Sequence, residues 1–263
     1  MGPIVIDIDP VIVDLGPLTF RWYGLAVLAG LLAGLWLAER EAKRKRLPEG
    51  LIGDLALWVV PGGLIGARLL HVIDRWPAYL ANPAVALAMT EGGLAIQGAL
   101  LGGLLAGAVA LWRRGLKVGP VVDAVAPGLL LGQAVGRLGC LVTGDAVGAP
   151  TSLPWAVVYT NPAAMVPQIG VAYQPAFAYE ALWDLAALTL LWHLRTRLRP
   201  DGAVFALYLV LYGTGKFLVS FARAEVVWIG NLQQAQLVAA LLVLAGLAWL
   251  LQHRRQFVPI VNV

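Results

Sequence analysis

The stretch GQAVGRLGCLVTGDAVG, residues 132–148, sets Arg137 among glycines at the end of an apolar run. A guanidinium is a planar fork of donors that meets phosphate with two parallel hydrogen bonds. Gly139 and Gly148, with Gly136 and Gly144, let backbone approach a bulky ligand or another helix closely. Other ionisable groups interrupt apolar runs in the same way. Arg68 lies in GGLIGARLLHVIDR, and Lys216 and Arg223 lie in LYGTGKFLVSFAR. Asp145 follows Arg137 closely. Glu180 and Asp184 are four residues apart, so on a helix they share a face. Phosphate binding by the cations and proton transfer by the carboxylates are the chemistries these residue types allow.

The elements that position them are set by composition. The chain has 263 residues, 60% of them hydrophobic and only 13% charged, with a net charge of +4. Its mean hydropathy is +0.78. One soluble core cannot hide that apolar excess, so an integral membrane protein is expected. A lone cysteine, Cys140, excludes an internal disulfide, and no Cys/His spacing suggests a metal site. The acidic N-terminal segment, with Asp7, Asp9 and Asp14, is unlike a basic signal-peptide start.

Apolar stretches long enough to span a bilayer are expected at about 22–38, 51–73, 94–112, 121–141, 177–194, 203–221 and 232–251. Basic clusters at Lys43–Arg46, Arg113–Lys117, Arg195–Arg199 and Arg254–Arg255 fall in alternate loops. The positive-inside rule places those loops in the cytoplasm. The expected fold class is therefore an all-α integral membrane protein with seven transmembrane helices, N-terminus outside and C-terminus cytoplasmic. The Pro- and Thr-rich segment at about 142–176 reads as an extracytoplasmic cap between spans four and five. One membrane domain, 1–263, suffices, with small-residue runs such as AGLLAGLWLAE and GALLGGLLAGAVA allowing close helix contact.

In this topology Arg68, Arg137, Lys216 and Arg223 gather toward the outer leaflet, where the charge rule predicts few cations. An anion held there explains them, and in a bilayer that anion is a phospholipid head group. A charge at the centre of a span costs at least roughly 2.5–3.5 kcal/mol, so such residues carry a functional expectation. His71, at the outer end of span two, reads as an interfacial ring.

Several stretches in order resemble the prolipoprotein diacylglyceryl transferase family of bacteria. They are LGPLTFRWYGLAVLAG, GARLLHV, EGGLAIQGALLGG, GRLGCLVTGDAVGAPTSLPWAV, QPAFAYEALWDL and GAVFALYLVLYGTGKFLVSFAR. The fourth is similar to the family pattern GRxGNFxNxExxGxPTxLPWAV, and together they cover nearly the whole chain. The resemblance implies transfer of the diacylglyceryl group of phosphatidylglycerol to the lipobox cysteine of a preprolipoprotein signal peptide, releasing glycerol 1-phosphate. The setting would be the bacterial cytoplasmic (inner) membrane, with the bilayer as partner, no nucleic acid, and no metal or soluble cofactor expected. On that pattern Arg137, Asp145, Lys216 and Glu180 are the catalytic candidates. Arg137, Tyr23, Arg68, Gln97, Gly98, Gly139, Gly148, Arg223 and Gln236 are the substrate-binding candidates. Gln97 and Gln174 stand where the family pattern has histidines, Cys140 and Thr143 where it has asparagines. Asp145 and Ser220 replace glutamates, and Lys216 replaces an arginine. A glutamine cannot accept a proton near neutral pH, so a base at position 97 is absent, while Asp145 or Glu180 could take the thiol proton.

Three other classes fit less well. A transporter should show an inverted repeat. A receptor-like protein would not need cations at the outer leaflet. An intramembrane serine protease needs a Ser/His pair at depth, whereas His71, His193 and His253 fall at span ends.

Overall fold

The computed structural model describes residues 2–16, 19–81, 93, 95–223, 227–229 and 232–254. Pro17 and Leu18 of the first motif, Leu94 at the expected start of span three, and Arg255 of the last basic cluster lie outside the described residues. The helices are α1 (Trp22–Arg44), α2 (Leu51–Asp74), the short α3 (Trp76–Ala81), α4 (Ile96–Arg113), α5 (Val118–Thr143), α6 (Ala176–Leu194), α7 (Ala203–Ser220) and α8 (Gln234–Gln252). Among the described residues six helices are long and apolar enough to cross a membrane: α1, α2, α4, α5, α7 and α8. The remaining long helix, α6, has 19 residues and carries the expected fifth span, but Glu180 and Asp184 interrupt its apolar run. On α4, Leu100, Leu101, Leu104 and Leu105 are each at least 62% exposed, as a helix facing lipid requires.

The chain folds as two compact units, 1–41 with 122–263, and 42–121. In the smaller unit α2 packs on α4 through glycines: a Cβ at Gly98 would lie 2.2 Å from Gly66 O, and one at Gly102 2.3 Å from Gly62 O. Bare backbone contact of this kind is how helices associate where lipid offers no hydrophobic drive. Arg114, just past α4, donates to Asp54 in the first turn of α2 at 2.9 Å.

In the larger unit α1 and α5 meet at Gly30/Gly132 and Gly34/Gly128, and α7 meets α8 at Gly213 and Gly246. Two polar ties lock the helix ends that border the basic loops. Glu41, 1% exposed, accepts from Arg195 Nε at 2.9 Å. Asp123, 2% exposed, accepts from Gly202 N and Phe205 N, both at 2.9 Å, and so caps α7 from a different helix.

At the opposite end of this unit lies a small sheet. The strands are β1 (Ile4–Ile6), β2 (Val11–Asp14), β3 (Thr19–Arg21), β4 (Val157–Tyr159), β5 (Ala172–Tyr173), β6 (Val227–Ile229) and β7 (Leu232–Gln233). β1 runs parallel to β4, which pairs antiparallel with β5, while β2/β3 and β6/β7 are separate hairpins. The N-terminal strand is thus built into the segment between α5 and α6, over a core of Ile6, Cys140, Ala146, Val157, Tyr159, Tyr173 and Phe177. The fold is mostly helical, not all-α.

Candidate active site: a carboxylate ringed by cations

Three helix ends meet at this sheet: α5 runs into it, α6 leaves it, and α7 ends beside it. They bring four sequence candidates together. The Glu180 carboxylate, at the start of α6, is 7% exposed; its Oε1 accepts from Lys216 Nζ at 3.1 Å and forms an ion pair with Arg223 Nη2 at 3.0 Å. Arg137 Nη2 pairs with Oε2. Each ion pair offsets part of the cost of taking these charges out of water. Three cations around one carboxylate leave the cluster positive. Asp184, buried one turn along α6, feels the charges of Glu180, Arg137 and Lys216.

Arg223 is held by the backbone around it. Ala149 N donates to Ala222 O at 2.8 Å, Gly148 N to Gln174 O at 2.8 Å, and Gln233 Nε2 to Arg223 O at 3.0 Å. Gly148 is required here because a Cβ would stand 2.3 Å from Ala222 O. Gln236, 2% exposed, accepts from Gln233 N at 2.9 Å at the start of α8, so its side-chain oxygen fixes the element that holds Arg223.

Asp145 sits beyond the end of α5 and is exposed. Thr143 Oγ1 lies 3.1 Å from both Asp145 Oδ1 and Gly139 O and shares one proton between them. The Cys140 thiol stands between Asp145 and Arg137, with Arg137 Nη1 at 3.8 Å from its sulfur. Tyr159 donates to Leu141 O at 2.7 Å, and burial pushes its phenol up, so it remains a donor. Tyr23, half-exposed in the first turn of α1, packs its backbone on Gly139, where a Cβ would lie 3.1 Å from Tyr23 Cα.

One layer escaped the sequence reading. Gln133 Nε2 donates to Tyr208 OH at 3.2 Å, and Gln133 Oε1 is buried without a partner among the described residues. Leaving such an oxygen unpaired costs about 1–3 kcal/mol. Tyr208 stacks on Tyr212 with ring centroids 5.7 Å apart. The available signal was spacing: Gln133 precedes Arg137 by four residues and Tyr212 precedes Lys216 by four, so each shares a helix face with a cation.

The other candidates belong to the smaller unit. Arg68, 6% exposed, donates from Nη1 to Gly93 O at 3.0 Å, and its guanidinium lies 5.6 Å from the Tyr79 ring centroid. His71 meets the same ring edge-on at 6.0 Å. Gln97 is exposed in the first turn of α4, and Gly98 beside it is buried in the α2–α4 seam.

The family model for prolipoprotein diacylglyceryl transferase matches residues 10–252. A phosphatidylglycerol–prolipoprotein diacylglyceryl transferase of Gloeobacter violaceus is 40% identical over 252 residues, covering 92% of this chain and 92% of that protein. Proteins of the same name from Trichormus variabilis and Bacillus cereus are each 36% identical, covering 96% and 95% of this chain and 93% of their own lengths. The matched span includes Arg137, Glu180, Lys216 and Arg223, and the chain belongs to the prolipoprotein diacylglyceryl transferase family.

Proposed function

We propose that this chain transfers the diacylglyceryl group of phosphatidylglycerol to the thiol of a lipobox cysteine in a preprolipoprotein signal peptide, releasing glycerol 1-phosphate. The names of the relatives state a diacylglyceryl transfer between phosphatidylglycerol and prolipoprotein. The observation that carries the reading onto these residues is the convergence of Arg137, Lys216 and Arg223 on Glu180.

The bonds balance as follows. Sulfur bonds to the glyceryl carbon, the C–O bond to phosphate breaks, and its electron pair leaves on the phosphate oxygen. The phosphate goes from a singly charged diester to a monoester, so negative charge grows on it as the bond breaks. Cations already in place stabilise that charge without reorganising. Arg137, Lys216 and Arg223 hold the phosphate, and Glu180 keeps the three together before lipid arrives. Protonating Glu180 would dismantle its ion pairs. Asp145, exposed beyond the end of α5, takes the thiol proton. Tyr23, Gly139 and Gly148 shape the approach to this group. Gln236 acts through the α8 start. Arg68, Gln97 and Gly98 enter from the family motifs alone, as lipid contacts of their own unit.

The same reading makes α6 the fifth of seven spans, with its two carboxylates turned into the protein. It puts the N-terminus and the sheet outside the cytoplasm as a cap, the basic loops and C-terminus in the cytoplasm, and 1–263 in one domain of a bacterial inner membrane. Cysteine accessibility at the loops, read with an impermeant thiol reagent in a Cys140→Ala background, tests the topology. The activity is tested by following radiolabel from the diacylglyceryl part of phosphatidylglycerol to a lipobox peptide. Transfer is expected from the parent and not from membrane-inserted Arg137→Ala. Full transfer by Arg137→Ala would remove the phosphate assignment.

A further inference from the structure

Each helix that supplies a charge to the Glu180 cluster also supplies a polar group one turn further from the sheet. On α5 it is Gln133, four residues before Arg137. On α6 it is Asp184, four after Glu180, and on α7 it is Tyr212, four before Lys216. Tyr208 adds another turn on α7 and ties back to Gln133 at 3.2 Å. A second polar layer therefore lies beneath the charged one.

This layer is only partly satisfied. Gln133 uses its amide nitrogen on Tyr208 and leaves its carbonyl buried without a partner among the described residues. Turning the amide over would only move the deficit to the nitrogen. Asp184, 5% exposed, feels the charges of Glu180, Arg137 and Lys216 but accepts no hydrogen bond among the described residues. Its field reaches both tyrosine hydroxyls. Packing alone would favour apolar residues here, since buried polar groups without partners oppose folding. The missing partner must donate to two acceptors, and must reach about one helical turn, ~5.4 Å, from the phosphate position. A glycerol with two free hydroxyls has that chemistry and that reach.

We propose that Gln133, Asp184 and the Tyr208–Tyr212 pair form a subsite for the glycerol hydroxyls of the phosphatidylglycerol head group and select that head group. The proposal rests on the reading of the Glu180 cluster as the phosphate site. A hydroxyl meets Gln133 whichever way its amide faces, and the second hydroxyl donates to Asp184. A phospholipid with an alkyl head group would leave both unpaired, a loss the site cannot offset. An ammonium head group would enter the field of three cations.

The test uses the full chain in nanodiscs with two lipids of identical acyl chains, phosphatidylglycerol and phosphatidyl-n-propanol, which keeps the phosphate diester and lacks the hydroxyls. The quantity read is the ratio of kcat/KM for the two lipids, which is independent of how much protein inserts. The parent is expected to favour phosphatidylglycerol by about tenfold. Gln133→Leu and Asp184→Asn should each pull the ratio toward one. Inhibition by glycerol 1-phosphate against n-propyl phosphate should show the same preference in the parent and its loss in the variants, which covers a variant too slow to assay and separates the free phosphate from the lipid. A parent ratio of one, or a ratio that survives both substitutions, overturns the subsite. Arg137→Ala separates the two readings: loss of both lipids together keeps the phosphate site, and turnover of both removes it whatever the ratio.

Discussion

Replacing Glu180 with glutamine removes one charge and almost no volume, and three cations lose their counter-ion at once. The side chains involved are largely buried: 7% exposed for Glu180, 24% for Arg137, 22% for Lys216 and 15% for Arg223. Breaking a buried pair by removing one partner costs about 3–5 kcal/mol, because the remaining charge stays desolvated. At about 2–4 °C per kcal/mol for a chain of this size, the melting midpoint of Glu180→Gln should fall by about 6–20 °C. The sign of the next step is what distinguishes the site from a structural salt bridge. A phosphate brings the missing negative charge to the same cations, so lipid binding should restore stability by mass action. Thermal unfolding in detergent, followed with and without saturating phosphatidylglycerol, reads both effects. The lipid should raise the midpoint of Glu180→Gln more than it raises that of the parent. A midpoint that falls but gains no more from lipid than the parent does would refute the phosphate role and leave Glu180 as a structural tie. An unchanged midpoint would refute the buried ion-pair account itself.

Lys216→Arg should retain transfer, whereas Lys216→Gln should lose about 1.5–3 kcal/mol of transition-state stabilisation, one to two decades in rate, in initial-rate assays across a phosphatidylglycerol titration. A parent-like rate for Lys216→Gln would remove Lys216 from the site. Gly148→Ala forces a Cβ to 2.3 Å from Ala222 O, so it should cost about 1–3 kcal/mol in unfolding experiments and slow transfer by shifting Arg223; a parent-like midpoint would contradict the packing account. Gln97→Asn should leave the acid limb of the pH–rate profile in place and Gln97→Glu should reshape it, since an amide does not titrate; movement of that limb in Gln97→Asn would tie position 97 to the titrating step.

Much of the helical frame was legible because the bilayer imposes a length. Apolar runs bounded by charge became α1, α2, α4, α5, α7 and α8, with ends shifted by a few residues. The chemistry was legible for a related reason: a charge costs so much in an apolar segment that Arg137, Lys216 and Arg223 stood out singly. Their common partner was not legible. Glu180 lies 43 residues after Arg137 and 36 before Lys216, and only the crossing of α5, α6 and α7 brings their side chains into contact. The pairing of β1 with β4 was equally hidden, because a three-residue strand carries too few residues for its alternation to name a partner more than 150 positions away. Gln133 stayed silent because an amide interrupts an apolar run far less than a charge does, and its unpaired oxygen exists only relative to its neighbours. Hydropathy and the cost of a charge belong to the individual residue, so residue order alone sets where apolar helices run and which charges are anomalous. Contact between helices belongs to the fold, so only the folded chain brings three of those charges onto one carboxylate, above a layer in which the Gln133 oxygen is left unpaired.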